Sequence, residues 1–508
     1  MARLATIIQP LWLPCLLLLF FATTAFAIPP RRKIPVLSVH AADPKAKNSA
    51  TNNVPPAVLS EEYQVFYYNQ TLDHFNLQPQ SYATFPQRYV VSFKHWRGAN
   101  ASAPILVYMG AESTLTVSGT GGFFPDTAAR FDALQVYIEH RFYGESVPFV
   151  KQEQALENAT LRGYFNSAQA LEDYAEIIMY IKKVLSAEKS PVIVVGGSYG
   201  GMLAAWFRLK YPHVALGALA SSAPILYFDS IIPPEGYFTV MTKDFKETSE
   251  NCYKIINESW SEIDRVAAAK DGLSILSKKF KTCQPLNSTR DLKEYLVDLY
   301  STAAQYDKPL HRIDMVCKGI DSAPKGADIL EKIFAGVVSY YGNASCYIHH
   351  DQESFFSAET MRGWSWQVCS DLVISMGIDD NATMFQPDPW NLTAFVDYCN
   401  YRYGVPPRPH WITTYFGGYD IKEVLRRFGS NIIFSNGLYD PYSSGGVLED
   451  ISDSILAVKT REGSHCMDIS VPRKDDPEWL VLQRNIEMEI ISGWLLKYYQ
   501  DLLEEDAS

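Results

Sequence analysis

The sequence predicts an α/β protein whose mostly parallel sheet is interrupted by a helical insertion. Short apolar, β-type runs alternate with helical patterns in the first half of the chain. A region rich in cysteine and in charged helical patterns follows, and strand patterns return before a long C-terminal helix. Such alternation favours a parallel sheet with helices on both faces. We therefore expect one α/β core that is split by a cap.

The 508 residues divide into five segments by local composition. This length allows about three domains of roughly 150 residues, or one large enzyme domain with an insertion. In chain order, we expect a signal peptide at 1–27, a linker or pro-segment at 28–60, the first part of the core at 61–228, a mostly helical cap at 229–426 and the second part of the core at 427–508.

The first segment has the pattern of a secretory signal peptide. Arg3 precedes an apolar run that ends in Ala25-Phe26-Ala27, which predicts cleavage after Ala27. A membrane anchor is the alternative, but about 20 apolar residues are needed to span a bilayer, and two prolines interrupt this run. We therefore expect a protein of the secretory pathway, lysosomal, vacuolar or extracellular, without a stable membrane anchor. We expect residues 28–56 to be too polar and too often interrupted to pack.

Composition and charge narrow the partners. Hydrophobic residues make up 47% of the chain and aromatic residues 13%, which is typical of a packed globular protein. Lys and Arg number 45 against 57 Asp and Glu, a net charge of −12. Because such a chain has no basic field to neutralise a phosphate backbone, we expect no nucleic-acid partner.

The core elements each have a local pattern. Between Ser167 and Leu185 apolar residues recur at intervals of three and four, as an amphipathic helix requires. A second long amphipathic helix is predicted from Pro477 to about Leu503. Seven apolar runs are predicted as strands, at 88–91, 105–108, 134–138, 192–195, 215–226, 431–435 and 455–458.

The predicted cap combines helical patterns, at 262–270, 289–300 and 326–340, with six cysteines. Their spacing of roughly 20 to 35 residues is typical of a local disulfide framework, and the residues alone leave 15 connectivities open. A metal cluster is the alternative, but no C-x-x-C pair occurs, so we expect no metal and no cofactor. Cys466 is left over. The six are Cys252, Cys283, Cys317, Cys346, Cys369 and Cys399.

Eight N-x-S/T tripeptides are candidate glycosylation sites if the chain enters the secretory pathway. Each is weak alone, but eight in a chain with a leader predict surface loops at these positions. They begin at Asn69, Asn100, Asn158, Asn257, Asn287, Asn343, Asn381 and Asn391.

Residues 191–210 carry the strongest functional signal. A buried-type strand leads into Gly196-Gly197-Ser198-Tyr199-Gly200, the G-x-S-x-G pattern, and then directly into a helix rich in small residues. A strand that reverses into a helix within one residue strains the backbone of Ser198, and only small residues at 196 and 200 permit the close packing. Ser198 is the predicted nucleophile; a structural glycine turn is the alternative.

A serine hydroxyl needs a base to take its proton, and the base needs an acid to orient it. In this strand–turn–helix context the partners follow in the order Ser, Asp, His, each after a late strand. Asp440 ends a Gly/Pro turn after the strand at 431–435, and His465 follows the strand at 455–458. We predict a catalytic triad of Ser198, Asp440 and His465; a turn aspartate and a surface histidine are the alternatives.

Three residues compete for these roles less well. Asp450 sits in a segment predicted as helical, and Asp468 lies beyond the histidine. His140 precedes Ser198, which is the wrong order for this fold, and is expected to fix loop structure.

Two main-chain N–H groups should face a developing oxyanion. One belongs to Tyr199 at the start of the helix. The other is expected at Gly110, after the strand at 105–108, where a glycine would let the backbone approach the substrate. In the same loop, Glu112 either holds a charged substrate group or forms a structural ion pair.

Four motifs in chain order carry a family resemblance. They are HRFYGES at 140–146, GGSYGGM at 196–202, SNGLYDP at 435–441 and EGSH at 462–465. Together they resemble the lysosomal Pro-X carboxypeptidase and dipeptidyl peptidase II family of serine exopeptidases, over about Tyr63 to Leu496. The resemblance implies an α/β-hydrolase core with an inserted helical cap, the triad named above and cleavage next to proline.

The resemblance also implies disulfides that staple the cap. They would pair Cys252 with Cys317, Cys283 with Cys346, and Cys369 with Cys399.

Two positions depart from the family's pattern. The family often has Trp after the Asp-Pro pair and a second His after the catalytic one, whereas this chain has Tyr442 and Cys466. Tyr442, Trp366 and Ile374 are our candidates for the proline pocket, because a proline ring needs an apolar, partly aromatic slot. The alternative is that they are plain core residues.

We therefore expect a serine exopeptidase that removes a C-terminal residue after proline through an acyl-enzyme on Ser198. The alternatives are release of N-terminal dipeptides, as in dipeptidyl peptidase II, a lipase or esterase with the same triad, and a non-catalytic lumenal binding module of hydrolase fold. The expected partners are peptides with proline near a terminus. The sequence leaves open whether the protein forms a homodimer. The cap would narrow the cleft so that only chain ends enter.

Overall fold

The computed structural model describes residues 33–38, 62–116, 123–348, 356–378 and 383–507. The predicted signal peptide, most of the predicted linker and the tripeptide at Asn381 lie outside the described residues.

Eight strands form one sheet in the described residues: β1 Gln64–Thr71, β2 Thr84–Ser92, β3 Ile105–Met109, β4 Leu134–Ile138, β5 Val192–Gly197, β6 Gly217–Ser221, β7 Ile432–Gly437 and β8 Ile455–Thr460. Their order across the sheet is β1-β2-β4-β3-β5-β6-β7-β8. The β1/β2 and β2/β4 pairs are antiparallel, and all other pairs are parallel. The predicted mostly parallel sheet is confirmed, and the fold is that of an α/β hydrolase.

Burial explains which strands the sequence reveals. The five strands β3 to β7 are buried at every residue, as parallel strands covered on both faces require. β1 is a half-exposed edge strand without a clear apolar run, and the apolar patterns did not identify it. The strand predicted at 215–226 is too long: β6 ends at Ser221, because Ser222 adopts a left-handed φ of 46°.

The helices follow the strands in the predicted order. The helix predicted at 167–185 and the C-terminal helix are both present, within a few residues of their expected bounds. In the described part of the chain, no helix has the length and apolar character needed to cross a membrane. The helices are α1 Phe123–Phe131, α2 Gln152–Glu157, α3 Ala159–Arg162, α4 Ser167–Val184, α5 Tyr199–Lys210, α6 Gly236–Thr248, α7 Glu250–Ala267, α8 Gly272–Lys279, α9 Thr289–Gln305, α10 Arg312–Asp321, α11 Ile329–Tyr341, α12 Ala358–Val368, α13 Leu392–Tyr403, α14 Trp411–Phe416, α15 Ile421–Phe428 and α16 Glu478–Ala507.

Helices α6 to α15 all lie between β6 and β7 in the sequence, where the cap insertion is expected. Three disulfides join parts of this region, with the pairings that the family resemblance implies. Cys466 is buried and free. The disulfides are Cys252–Cys317, Cys283–Cys346 and Cys369–Cys399.

Residues 33–38 correct one expectation. The surrounding segment was expected to be too polar to pack, yet Ile34, Val36 and Leu37 are buried. They join the large apolar cluster that contains residues of the sheet and of the cap helices. This part of the predicted linker is therefore packed into the protein.

The seven candidate glycosylation asparagines within the described residues are all exposed. The expectation that all of them lie in loops is wrong, because Asn69 lies in the edge strand β1 and Asn257 in α7. Asn158 and Asn391 precede helices, and their side chains accept hydrogen bonds from main-chain N–H groups of the first turns.

Replacing Cys252 and Cys317 together by alanine should lower the free energy of unfolding by about 4 kcal/mol. The disulfide closes a separation of 65 residues and so restricts the unfolded chain. Equilibrium urea unfolding measures the loss. The matched double variant at Cys369 and Cys399, with a separation of 30, should lose slightly less. Unchanged stability of both variants would contradict this account.

Candidate active site

Ser198 lies at the reversal between β5 and α5. Its backbone has φ 63° and ψ −123°, a strained conformation for a residue with a side chain. The neighbouring glycines make the reversal possible: a Cβ on Gly196 would lie 2.0 Å from the carbonyl oxygen of Gly200, and one on Gly201 would lie 2.6 Å from that of Ser221. The tight strand–turn–helix geometry predicted for this segment is present.

Three side chains that are far apart in the sequence meet at this turn. His465 Nε2 lies 2.7 Å from Ser198 Oγ, and His465 Nδ1 lies 2.6 Å from Asp440 Oδ2. Asp440 Oδ1 accepts a third bond, from the main-chain N–H of Tyr442, at 3.0 Å. All three side chains are buried. A hydroxyl, an imidazole and a carboxylate connected in this way can transfer a proton from the serine.

The electrostatics of His465 follow from its burial and from its charged neighbour. Burial lowers the pKa of His465, but the charge of Asp440 and its hydrogen bond outweigh burial, and the pKa lies well above its usual 6.5. Burial raises the pKa of the adjacent Cys466 thiol. The main-chain N–H of Cys466 donates to Ser222 Oγ at 2.9 Å, which helps to fix the loop that carries the histidine.

Tyr199 is the first residue of α5, so its N–H has no acceptor within the helix and can face an oxyanion beside Ser198. The expectation for Gly110 is wrong. Its N–H donates to the carbonyl oxygen of Ile138 at 3.0 Å, and a Cβ there would lie 2.3 Å from that oxygen. The glycine is needed for contact with β4. The next residue, Ala111, has no acceptor for its N–H among the described residues.

His140 contacts Tyr199 and is not part of the hydrogen-bonded triad. It is buried, and its Nε2 lies 3.0 Å from the hydroxyl of Tyr199, while Nδ1 lies 2.6 Å from the carbonyl oxygen of Arg141. Burial lowers the pKa of His140 to about 4, so the ring is neutral near pH 7. Its ring packs against that of Tyr199, with centroids 5.5 Å apart.

Neither rival aspartate contacts His465. Asp468 accepts a hydrogen bond from the Ser221 hydroxyl at 2.5 Å. Asp450 lies in a loop and not in the predicted helix, and its Oδ1 accepts the main-chain N–H of Ala457 at 2.8 Å.

Glu112 is 1% exposed, and neither carboxylate oxygen has a hydrogen-bond partner among the described residues. Burial raises its pKa to about 7, an effect that the charge of His465 partly opposes. The predicted structural ion pair is not formed within the described residues. Burying a carboxyl group without a hydrogen-bond partner costs free energy. Such groups are often found where a ligand binds.

The pocket candidates divide into two groups. Tyr442 is buried beside the triad, with its ring centroid 6.1 Å from that of His465. Ile374 pairs with Phe228 in the same large apolar cluster. Trp366 does not reach the site: it belongs to a separate cluster, and its indole N–H donates to the carbonyl oxygen of Phe165 at 2.9 Å.

The residue patterns missed three residues beside the triad. Trp364 packs on Tyr199, with ring centroids 6.3 Å apart. Tyr306 packs edge-on against His465 at 5.6 Å, and the carbonyl oxygen of Gln305 accepts the main-chain N–H of His465 at 3.0 Å. These residues belong to cap helices or directly follow them, and no local motif marks them.

Comparisons with known proteins agree on one family. The sequence profile described as "Serine carboxypeptidase S28" matches residues 70–487. The chain is 37% identical to a protein named "Lysosomal Pro-X carboxypeptidase" from Mus musculus, over 96% of this chain and 98% of that protein. It is 36% identical to the Homo sapiens protein of the same name, over 88% and 92%. "Prolyl carboxy peptidase like protein 5" from Caenorhabditis elegans is 30% identical, over 89% and 94%.

The variant Glu112→Gln should gain stability relative to the wild type as pH rises from 5 to 8. Glu112 has a pKa of about 7 in the folded protein against an ordinary 4.5. The folded state therefore holds the proton more tightly, and stability falls as pH rises through this interval, by about 3 kcal/mol at most.

Urea unfolding of the Glu112→Gln variant and of the wild type at both pH values measures this change. The exposed Glu258→Gln is the matched control and should show no such trend. A difference between Glu112→Gln and wild type that stays constant with pH would contradict the buried, partnerless carboxyl.

Proposed function

The chain belongs to the serine carboxypeptidase S28 family, and from this premise we propose that it removes a C-terminal residue that follows proline, through an acyl-enzyme on Ser198. It is a serine-type exopeptidase by family. The observation that carries the proposal is the unbroken hydrogen-bonded series from Asp440 through His465 to Ser198.

In the proposed reaction, Ser198 Oγ attacks the carbonyl carbon of the proline residue while His465 Nε2 takes the hydroxyl proton. Asp440 holds the imidazole in the required tautomer and stabilises its charged form. Breakage of the C–N bond then releases the C-terminal amino acid, with the proton from His465 passing to its nitrogen. A water molecule hydrolyses the acyl ester by the same route and restores the serine.

The oxyanion that forms on the carbonyl oxygen needs two N–H donors. We assign the first to Tyr199. For the second we assign Ala111 in place of Gly110, because the Gly110 N–H is already used by Ile138. Ala111 lies against the helix that carries Tyr199: its Cβ is 3.4 Å from the position of a Cβ on Gly200.

We assign proline specificity to an aromatic wall beside His465 that is formed by Tyr442, Tyr237 and Tyr227. Tyr442 packs edge-on against Tyr237, with ring centroids 4.8 Å apart, and against Tyr227 at 5.9 Å. Ile374 supports this wall from the same apolar cluster. The support for proline comes from the names of the relatives and from this apolar, aromatic setting.

Glu112 decides which chain end is bound. When protonated, its carboxyl group can donate a hydrogen bond to a substrate C-terminal carboxylate. When ionised, it suits a terminal ammonium, and this observation favours dipeptide release from the N-terminus as the second candidate function. The raised pKa supports the carboxypeptidase, because with a pKa of about 7 the Glu112 carboxyl group is still partly protonated near neutral pH.

A lysosomal, vacuolar or extracellular location is part of the proposal. Three disulfides are stable in an oxidising compartment, and two relatives are named as lysosomal.

Ser198→Ala should abolish both covalent labelling by a fluorophosphonate probe and hydrolysis of N-terminally blocked Pro-X peptides. Without the hydroxyl no acyl-enzyme can form. Gel fluorescence and release of the free amino acid measure the two effects. Ser190→Ala, also buried but two residues before β5, is the matched control and should retain both. Labelling that survives in Ser198→Ala would contradict the assignment.

Asp440→Asn should lower kcat by about 10⁴-fold and move the acidic limb of the pH profile of kcat/KM to lower pH. The charge of Asp440 raises the pKa of His465, so its removal lowers the pH below which the base is protonated. Steady-state assays between about pH 4 and 9 test this. A limb that stays in place would show that the group it reports is not His465.

Peptides of the form X-Pro-X blocked at either end, tested beside a short acyl ester, separate the candidate activities. The carboxypeptidase should cleave peptides blocked at the N-terminus and leave those blocked at the C-terminus intact. The reverse pattern would establish dipeptide release, and turnover of the ester alone would establish an esterase.

A further inference from the structure

Four side chains donate hydrogen bonds to main-chain carbonyl oxygens of residues 33–38. Trp364 Nε1 donates to Ile34 at 3.2 Å, and the Tyr442 hydroxyl donates to Pro35 at 2.6 Å. Gln305 Nε2 donates to Val36 at 3.1 Å, and the Tyr306 hydroxyl donates to Ser38. All four bonds recognise the peptide backbone and none recognises a particular side chain, as is required of a groove that binds peptides.

The same donors border the triad. The rings of Tyr306 and Tyr442 lie 5.6 and 6.1 Å from that of His465. Trp364 packs on Tyr199, the residue that follows Ser198. We call these four donors, Gln305, Tyr306, Trp364 and Tyr442, the carbonyl-binding set. A chain held by this set lies directly beside the catalytic triad.

Residues 33–38 are also anchored by their side chains. Ile34, Val36 and Leu37 are buried in the apolar cluster that contains Tyr199 and Tyr442. At the other end, Lys33 Nζ lies 3.3 Å from Asp298 and 3.7 Å from Glu294 in α9. The segment therefore fills an apolar groove between the cap helices and the triad.

We propose that residues 33–38 are an intramolecular inhibitor that occupies the peptide-binding groove, so that the chain is made as a precursor and gains activity when this segment leaves. The inference rests on the proposed function, because it assigns the carbonyl-binding set to peptide substrates. Segment and enzyme are joined by residues 39–61, which makes their contact intramolecular. Tethers of this kind give effective concentrations near the millimolar range.

The segment resists turnover because it is not a chain end. Val36 follows Pro35, as a released residue would, but the chain continues from Val36 to the rest of the protein. An exopeptidase that needs a free C-terminal carboxylate finds none here. Occupation without cleavage blocks entry of substrate. The alternative is that residues 33–38 are a permanent strut of the fold.

The test uses the full chain with a recognition sequence for a site-specific protease inserted after Ala50. The uncut protein should hydrolyse an N-terminally blocked peptide that ends in Pro-Phe at least about tenfold more slowly than the cut and dialysed protein. An insertion of equal length that the protease does not recognise is the control. Equal rates before and after cutting, with release of the segment shown by mass spectrometry, would overturn the proposal.

A second variant removes dependence on cutting. Leu37→Asp places a charge in the apolar groove and should raise the activity of the uncut chain toward that of the cut one. Ala50→Asp, in the linking residues 39–61, is the control and should leave the activity low. Thermal unfolding shows whether each variant is folded. Unchanged low activity in folded Leu37→Asp, together with equal rates before and after cutting, would establish a strut.

A fluorescent peptide Lys-Ile-Pro-Val-Leu-Ser separates this proposal from the proposed function. It should bind the cut Ser198→Ala protein, and it should bind more weakly when Tyr442→Phe is added. In the active enzyme it should compete with Pro-Phe peptides. A peptide of scrambled sequence should bind less tightly. If no form of the protein hydrolyses any peptide, the proposed function is wrong. Failure of the peptide to bind a cut, folded chain overturns the groove and the inhibitor.

Discussion

The structure depends on a steric constraint at one turn, where β5 reverses into α5 within a single residue. The reversal strains Ser198 and presents its hydroxyl, and it needs glycine at 196 and 200 because any Cβ there would collide with neighbouring backbone. Parallel pairing from β5 through β6 and β7 to β8 then brings the loops that carry Asp440 and His465 to the same edge of the sheet. The hydrogen-bonded series follows from this arrangement.

The sequence revealed those parts of the fold and site that have a local cause. Buried strands are continuous apolar runs, and the elbow needs its glycines, so both are visible in a few residues. Gly110 shows the limit: a glycine indicates close approach, but the sequence does not say whether to substrate or to Ile138. Trp366 was a candidate for the pocket, but Trp364 is the tryptophan that packs beside the site, because residues two apart on a helix point in nearly opposite directions. The packing of residues 33–38 was not predicted, because their three apolar side chains lie within a polar stretch of sequence.

The aromatic residues around His465 connect the site to the cap. Tyr306 and Tyr442 pack on the imidazole while their hydroxyl groups point to backbone carbonyls of the N-terminal segment. The two rings that pack on the imidazole therefore also supply hydrogen-bond donors to the groove. In the proposed precursor this groove is filled by the chain itself, and the active enzyme would bind peptide ends with the same donors. In the proposed function, the protonation state of Glu112, which is buried without a hydrogen-bond partner among the described residues, selects which chain end enters.

The most direct test of the central claim is a crystal structure of the chain, with residues 33–38 removed, after reaction with a prolyl phosphonate. We expect phosphorus bonded to Ser198 Oγ, a phosphonyl oxygen within hydrogen-bonding distance of the Tyr199 N–H, and His465 Nε2 still between the adduct and Asp440. Phosphorus bonded to another side chain, or a Ser198 hydroxyl left unmodified beside an intact His465, would contradict it.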